Sequence, residues 1–273
     1  MLGAKKTRFL STALLVASGL AFGGGGAQAT QYVQNGDFTN LTNGPGQFSD
    51  WYFPPGGTPV PGGLNWTPTS IAGWSYDGYG YAMNVADQAV SGFAGPATFS
   101  LWDAANGGAN SWNGLAAHGG NFVGFDTALG YPTDISQTIS GLTPGQQYSL
   151  GYSYAFAQQA GFTDPTYQSW TVNISDSNGN TAYNTYTGAN LPAAGFSGWT
   201  DVTASFTATS SSETLSFNGG FDGAGAPPFA LLSNVSLNDL AAPGPAPSNG
   251  PAALFGLAAI VAYLRRNRSL TAT

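Results

Sequence analysis

Apolar side chains recur at every second position through the C-terminal half of this chain, a spacing that fits extended strands and not helices. Tyr148, Leu150, Tyr152, Tyr154 and Phe156 fall on one side of such a strand, and Trp170, Val172 and Ile174 on one side of the next. Val202, Ala204 and Phe206 follow, then Leu215 and Phe217, then Val235 and Leu237. Turn-forming clusters separate these runs: Leu142-Thr143-Pro144-Gly145, Ser177-Asn178-Gly179-Asn180 and Ala224-Gly225. The Asn178-Gly179 pair suits a tight hairpin, because glycine takes positive φ without a Cβ clash. No long helical pattern occurs between Thr30 and Leu240. The fold expected is all-β, an antiparallel β-sandwich with long Gly/Pro-rich loops. Two such loops are Gly44 to Gly63 and Asp103 to Gly120, the second carrying Trp112 and the single histidine, His118.

The two ends read as targeting segments. Lys5, Lys6 and Arg8 precede an apolar run from Phe9 to Phe22, and Ala27-Gln28-Ala29 is an A-x-A cleavage site. Residues 1–29 are therefore expected to be a signal helix removed before Thr30; the competing reading is a membrane anchor. Residues 30–240 form the β-sandwich ectodomain and 241–250 a Pro-rich linker. Residues 251–273 are an apolar helix followed by an arginine cluster. Ala252 to Leu264 reaches only ~20 Å as a helix, against a hydrocarbon core of ~30 Å. That length suits a transient sorting helix better than a permanent span, with Arg265, Arg266 and Arg268 held on the cytoplasmic side.

Charge narrows the function. All six basic residues lie in the end segments, and all 13 acidic residues lie between Thr30 and Leu264. With 13 acidic and no basic side chains, the ectodomain carries about −13, so a nucleic acid partner is excluded on electrostatic grounds. No catalytic set is apparent. Glu213 is the single glutamate and reads as an exposed strand residue; Asp77, Asp176 and Asp222 sit near glycines as turn formers. His118 lies in a Gly-rich loop, and no G-x-S-x-G elbow occurs. The expectation is a non-enzyme.

The tail order, Ala242-Pro243-Gly244-Pro245, apolar helix, then arginines, resembles the PEP-CTERM sorting signal, with Gly244 where that family commonly has Glu. The resemblance implies signal peptidase and export machinery as partners, then an exosortase-like protease acting on the signal built from Pro243, Gly244, Pro245, Arg265, Arg266 and Arg268. It also implies a surface or matrix location, with membrane contact only through the tail. Within the ectodomain, Asn35-Gly36-Asp37-Phe38, the stretch from Ile135 to Tyr148, Trp199 through Phe206 to Phe217, and Leu232-Ser233-Asn234-Val235-Ser236-Leu237 occur in that order. This succession resembles the galactose-binding-like jelly roll of carbohydrate-binding modules. The family often carries a structural calcium between its opening motif and closing strand. Thr39 and Ser233 replace the usual acidic ligands here, leaving Asp37 and Asp239 as candidate ligands and no other cofactor implied.

Two function classes follow: a non-catalytic structural or matrix protein, and a surface-displayed carbohydrate-binding module. For the second, a sugar face stacks on Trp or Tyr while neighbouring amides and carboxylates bond its hydroxyls. The candidates in loops or irregular stretches are Trp51, Trp74, Tyr79, Trp102, Trp112 and Tyr131, with Trp170 and Trp199 assigned to the core.

Overall fold

The computed structural model describes residues 30–48, 51–52, 60–61, 68–86, 90–91, 98–128, 133–221 and 227–240. The expected signal helix, Tyr131, and the tail with Pro243, Gly244, Pro245, Arg265, Arg266 and Arg268 lie outside the described residues, as does the Ala224-Gly225 turn. The described chain is all strand and loop. Its strands are β1 (Gly46–Gln47), β2 (Trp51–Tyr52), β3 (Val60–Pro61), β4 (Ser75–Gly78), β5 (Gly80–Met83), β6 (Val90–Ser91), β7 (Thr98–Phe99) and β8 (Phe122–Asp126). The longer ones follow: β9 (Thr133–Ser140), β10 (Gln147–Gln158), β11 (Thr166–Ser175), β12 (Thr181–Leu191), β13 (Thr200–Thr207), β14 (Ser212–Phe221) and β15 (Pro228–Asp239).

Two antiparallel sheets face each other: a six-stranded one in the order β1-β5-β8-β15-β10-β13, and a five-stranded one in the order β12-β11-β14-β9-β4. The alternation read from the sequence is the reason. Leu150, Tyr152 and Phe156 from one sheet meet Trp170, Val172, Ile174, Leu215 and Phe217 from the other. Trp170 is fully buried, edge-on to Phe125 and Phe217, and its indole N–H donates to the Leu231 carbonyl at 3.1 Å. Removing a ring of that size from water contributes roughly 4–6 kcal/mol. The opening motif Asn35-Gly36-Asp37-Phe38 docks on this core. Phe38 is fully buried, and a Cβ on Gly36 would collide with the Val235 carbonyl, whose own N–H donates to the Gly36 carbonyl at 2.9 Å.

Three sequence expectations change. The stretch from Gly44 to Gly63 is not loop throughout: β1 pairs with β5, and Phe48 packs into the core against Phe125 and Tyr76. The turn at Asn178-Gly179 is not a two-residue hairpin. Residues 176–180 form a wider loop closed by the Asp176 carboxylate, which accepts the Asn178 and Asn180 N–H groups at 2.9 Å each. Asp103 to Gly120 is irregular as expected, yet it is packed rather than free. It covers the outer face of the six-stranded sheet and closes a second core of Tyr81, Met83, Trp112, Phe122, Phe229 and Leu231.

Candidate functional site

The sequence-selected aromatics scatter. Trp74 is buried, its N–H donating to the Asn35 carbonyl and its ring packed on Phe38 and Phe217. Tyr79 is buried with its hydroxyl 2.7 Å from that of Tyr81. Trp112 is 5% exposed, lying parallel to Phe196 with ring centroids 4.1 Å apart. These three offer no open face, because the second core and the opening motif cover them. Trp102 is half-buried, tethered by its N–H to the Phe162 carbonyl at 2.6 Å. Trp51 lies in β2, and its side chain is outside the described residues. Trp170 is core as expected. Trp199 instead sits half-buried at the margin of the second core.

The structure assembles a different surface, one the sequence reading passed over. Period two places Trp170, Val172 and Ile174 inward, so Tyr167, Ser169, Thr171, Asn173 and Ser175 point outward from the five-stranded sheet. Strand registers carry that choice across all five strands. Tyr186, Thr171, Asn218, Asp134 and Asp77 stand directly opposite one another in one row. Asn184, Asn173, Ser216, Ser136 and Ser75 form a second, parallel row. Each row crosses four inter-strand spacings, ~19 Å in all. Every side chain in the rows is a hydroxyl, amide or carboxylate.

Tyrosines mark one end of this face and acids the other. Tyr186 is 60% exposed, and its hydroxyl bonds that of Tyr167. Both rings reach over Gly188, where an added Cβ would collide with the Tyr167 hydroxyl. Gly188 therefore keeps the floor low enough for the phenols to lie across the sheet. At the far end Asp77 opposes Asp134, a like-charge cross-strand pair that costs stability. Partial burial pushes the Asp134 carboxyl up; the Ser136 hydroxyl, bonded at 3.2 Å, pulls it down; and Asp77 pushes it up again. No lysine or arginine lies between Thr30 and Leu264 to offset either acid.

A cleft of about 550 Å³ opens on the other side of the molecule, between residues 110–113 and 196–198. Nearby, Asp201 Oδ1 accepts from Ser153 Oγ at 2.6 Å and lies 2.9 Å from His118 Nε2, pinning the covering loop to edge strand β13. Serine, histidine and aspartate thus meet, a grouping the sequence reading did not anticipate. The order is not that of a nucleophile relay, since Ser153 donates to the carboxylate and the imidazole contacts the same oxygen. The serine and histidine both lower the Asp201 carboxyl.

The candidate calcium ligands are not brought together. Asp37 turns back to accept the Thr39 hydroxyl and N–H, while Asp239 accepts the Tyr32 hydroxyl at 3.0 Å. Val235 bonds Gly36, and Asp239 lies four residues further along β15, ~13 Å at the usual strand rise. Among the described residues no group of three or more His, Asp or Glu is placed to hold a metal. Glu213 is not an exposed strand residue but is 1% exposed. Its Oε1 accepts the Thr209 N–H at 2.5 Å and hydroxyl at 2.9 Å, closing the β13–β14 turn.

No family model matches the chain, and no curated protein matches it. Among solved structures it is similar to the enzymatically active domain of tailspike protein 4 of bacteriophage CBA120, at 14% identity over 63% of this chain and 20% of that one, TM-score 0.35. The chain thus spans one fifth of the length of that solved domain. It is similar to TmCBM61 in complex with beta-1,4-galactotriose, at 13% identity over 62% of this chain and 89% of that one, TM-score 0.34. It is also similar to the Stig cyclase Fisc from Fischerella sp. TAU, at 14% identity over 79% of this chain and all of that one, TM-score 0.46.

Proposed function

We propose that the chain is an exported, matrix-associated surface protein whose jelly-roll ectodomain binds a neutral polysaccharide along the polar rows of the five-stranded sheet, without a chemical step. The observation that carries this is the in-register row Tyr186–Thr171–Asn218–Asp134–Asp77. It offers a run of hydroxyl, amide and carboxylate groups long enough for several sugars, with an exposed ring for a sugar's C–H face. A polyanionic glycan is disfavoured, because the ectodomain has acids and no lysine or arginine to pair with it. Export through a signal peptide, and processing of the tail at Pro243 to Pro247 by an exosortase-type enzyme of the PEP-CTERM system, complete the reading.

Two experiments test it. On an array of β-1,4-linked galacto-, gluco- and xylo-oligosaccharides beside sulfated and uronate glycans, the full chain should be retained by a neutral class. Retention by the anionic glycans alone, or by none, would reject the binding reading. Mass spectrometry of the protein from its native cell should find Thr30 first and Arg265, Arg266 and Arg268 gone. An intact C-terminus would reject processing.

A further inference from the structure

We infer that the cleft between residues 110–113 and 196–198 is a second site for a neutral saccharide, so that one molecule holds two glycan segments at once; this rests on the glycan-binding reading of the five-stranded sheet. At about 550 Å³ the cleft has the size of a small-ligand site. Its floor is the half-buried Phe196 ring, backed by the buried Trp112 ring that lies parallel to it within 8° and is itself braced by Phe122 and Trp199. The indole N–H groups of Trp112 and Trp199 both donate to the Leu115 carbonyl, at 2.8 and 2.9 Å. Both donors are therefore spent, and the floor meets a ligand with the carbon surface of Phe196 alone.

The rim supplies the polar contacts. Asn113 is exposed and uses its Oδ1 for the Leu115 N–H at 3.2 Å. Among the described residues no hydrogen bond takes its Nδ2, which leaves two donors at the opening. Ser111 beside it is also exposed. Among the described residues no charged side chain lines the cleft. Carbon surface below, amide and hydroxyl groups above, and no charge match a pyranose, which has C–H faces and an equatorial belt of hydroxyls.

Position makes the site more than a duplicate. The covering loop stands on the outer face of the six-stranded sheet, while the polar rows lie on the outer face of the other. The sheets themselves stand ~10 Å apart, so a short saccharide cannot span both sites, and a long polysaccharide can be bridged by two-point attachment.

Calorimetric titration of the full chain with β-1,4-linked galacto-, gluco- and xylohexaose, each alone, tests this. For the hexaose that binds, two sites per chain are expected. Ser111→Trp, at an exposed position, should fill the cleft and leave one site; Asn113→Ala should weaken that same site about tenfold. Tyr186→Ala should remove the other site. With the corresponding polysaccharide the unmodified chain should raise turbidity and Ser111→Trp should not. A single site that is indifferent to Ser111→Trp and lost in Tyr186→Ala would overturn the cleft and leave the sheet reading standing. A single site lost in Ser111→Trp and indifferent to Tyr186→Ala would overturn the sheet reading instead. Failure of all three hexaoses to bind would overturn both.

Discussion

The melting temperature of the ectodomain should rise as pH falls from about 8 to about 5, and Asp126→Asn should remove most of that slope. Asp126 ends β8 and is 5% exposed. Burial pushes its carboxyl up to about 7, the Ala128 N–H bonded at 3.0 Å pulling the other way. An acid raised in the native state keeps its proton where the unfolded chain has lost it. Its stabilising contribution is therefore full below the unfolded value of 3.8 and is lost as pH climbs to about 7. The part of that span crossed between pH 8 and pH 5 is about two pH units, which corresponds to about 3 kcal/mol, or roughly 5–10 °C in melting temperature for a domain of this size. Asp134, also raised by burial, adds to the same sign. Asp176 and Asp201 are lowered by their hydrogen bonds, and their contribution is lost only in more acid solution. Acidification also relieves repulsion in a chain this acidic, and Asp126→Asn separates the two effects. A wild-type curve flat over the interval, or a variant as steep as wild type, would contradict the buried-acid account.

The sandwich was legible wherever a strand was long enough to show its period. From Tyr148 to Phe156 and from Trp170 to Ile174, alternate residues entered the core as the spacing predicts. β1 was not legible, because two residues have no period and its pairing depends on Phe48 packing from outside it. Nor was burial of the covering loop, which is set by what lies beneath it. A signal did exist: Phe229-Ala230-Leu231-Leu232 is apolar at consecutive positions, and all four are buried. A strand of that kind has both faces covered, so the sheet needed a third layer, and Asp103 to Gly120 supplies it.

The site was legible in principle and missed by choice of residue type. Loop tryptophans look like sugar platforms, but in a chain with few charged side chains they are also the means of filling a core: Trp74 enters the core between the sheets and Trp112 the second core. The polar rows were encoded by the same parity that identified the core. If Trp170, Val172 and Ile174 face in, Thr171 and Asn173 face out beside Tyr186 and Asn218. Registry between strands was the missing quantity. It arises from hairpin closure by groups such as Asp176 and Glu213, whose local roles a linear pattern does not reveal.

Loss of binding at the sheet is the other large effect expected. Tyr186→Ala removes an exposed ring, and Asn218→Ala an exposed amide whose only side-chain partner among the described residues is Ser216 Oγ at 3.3 Å. Tyr186→Ala should remove saccharide binding at this face and Asn218→Ala should weaken it about tenfold, both while moving the melting temperature little, because neither side chain is packed in the core. Gly188→Ala should act in the same direction by tilting Tyr167 and Tyr186 off the sheet, although it removes no binding group. The direct measurement is backbone amide shift mapping on isotope-labelled protein titrated with the oligosaccharide that binds. The shifts should include the outward residues of the rows, Thr171, Asn173, Asn218, Asp134 and Tyr186 among them. Saturable binding that leaves those amides unmoved would contradict the assignment of the five-stranded sheet as the glycan surface.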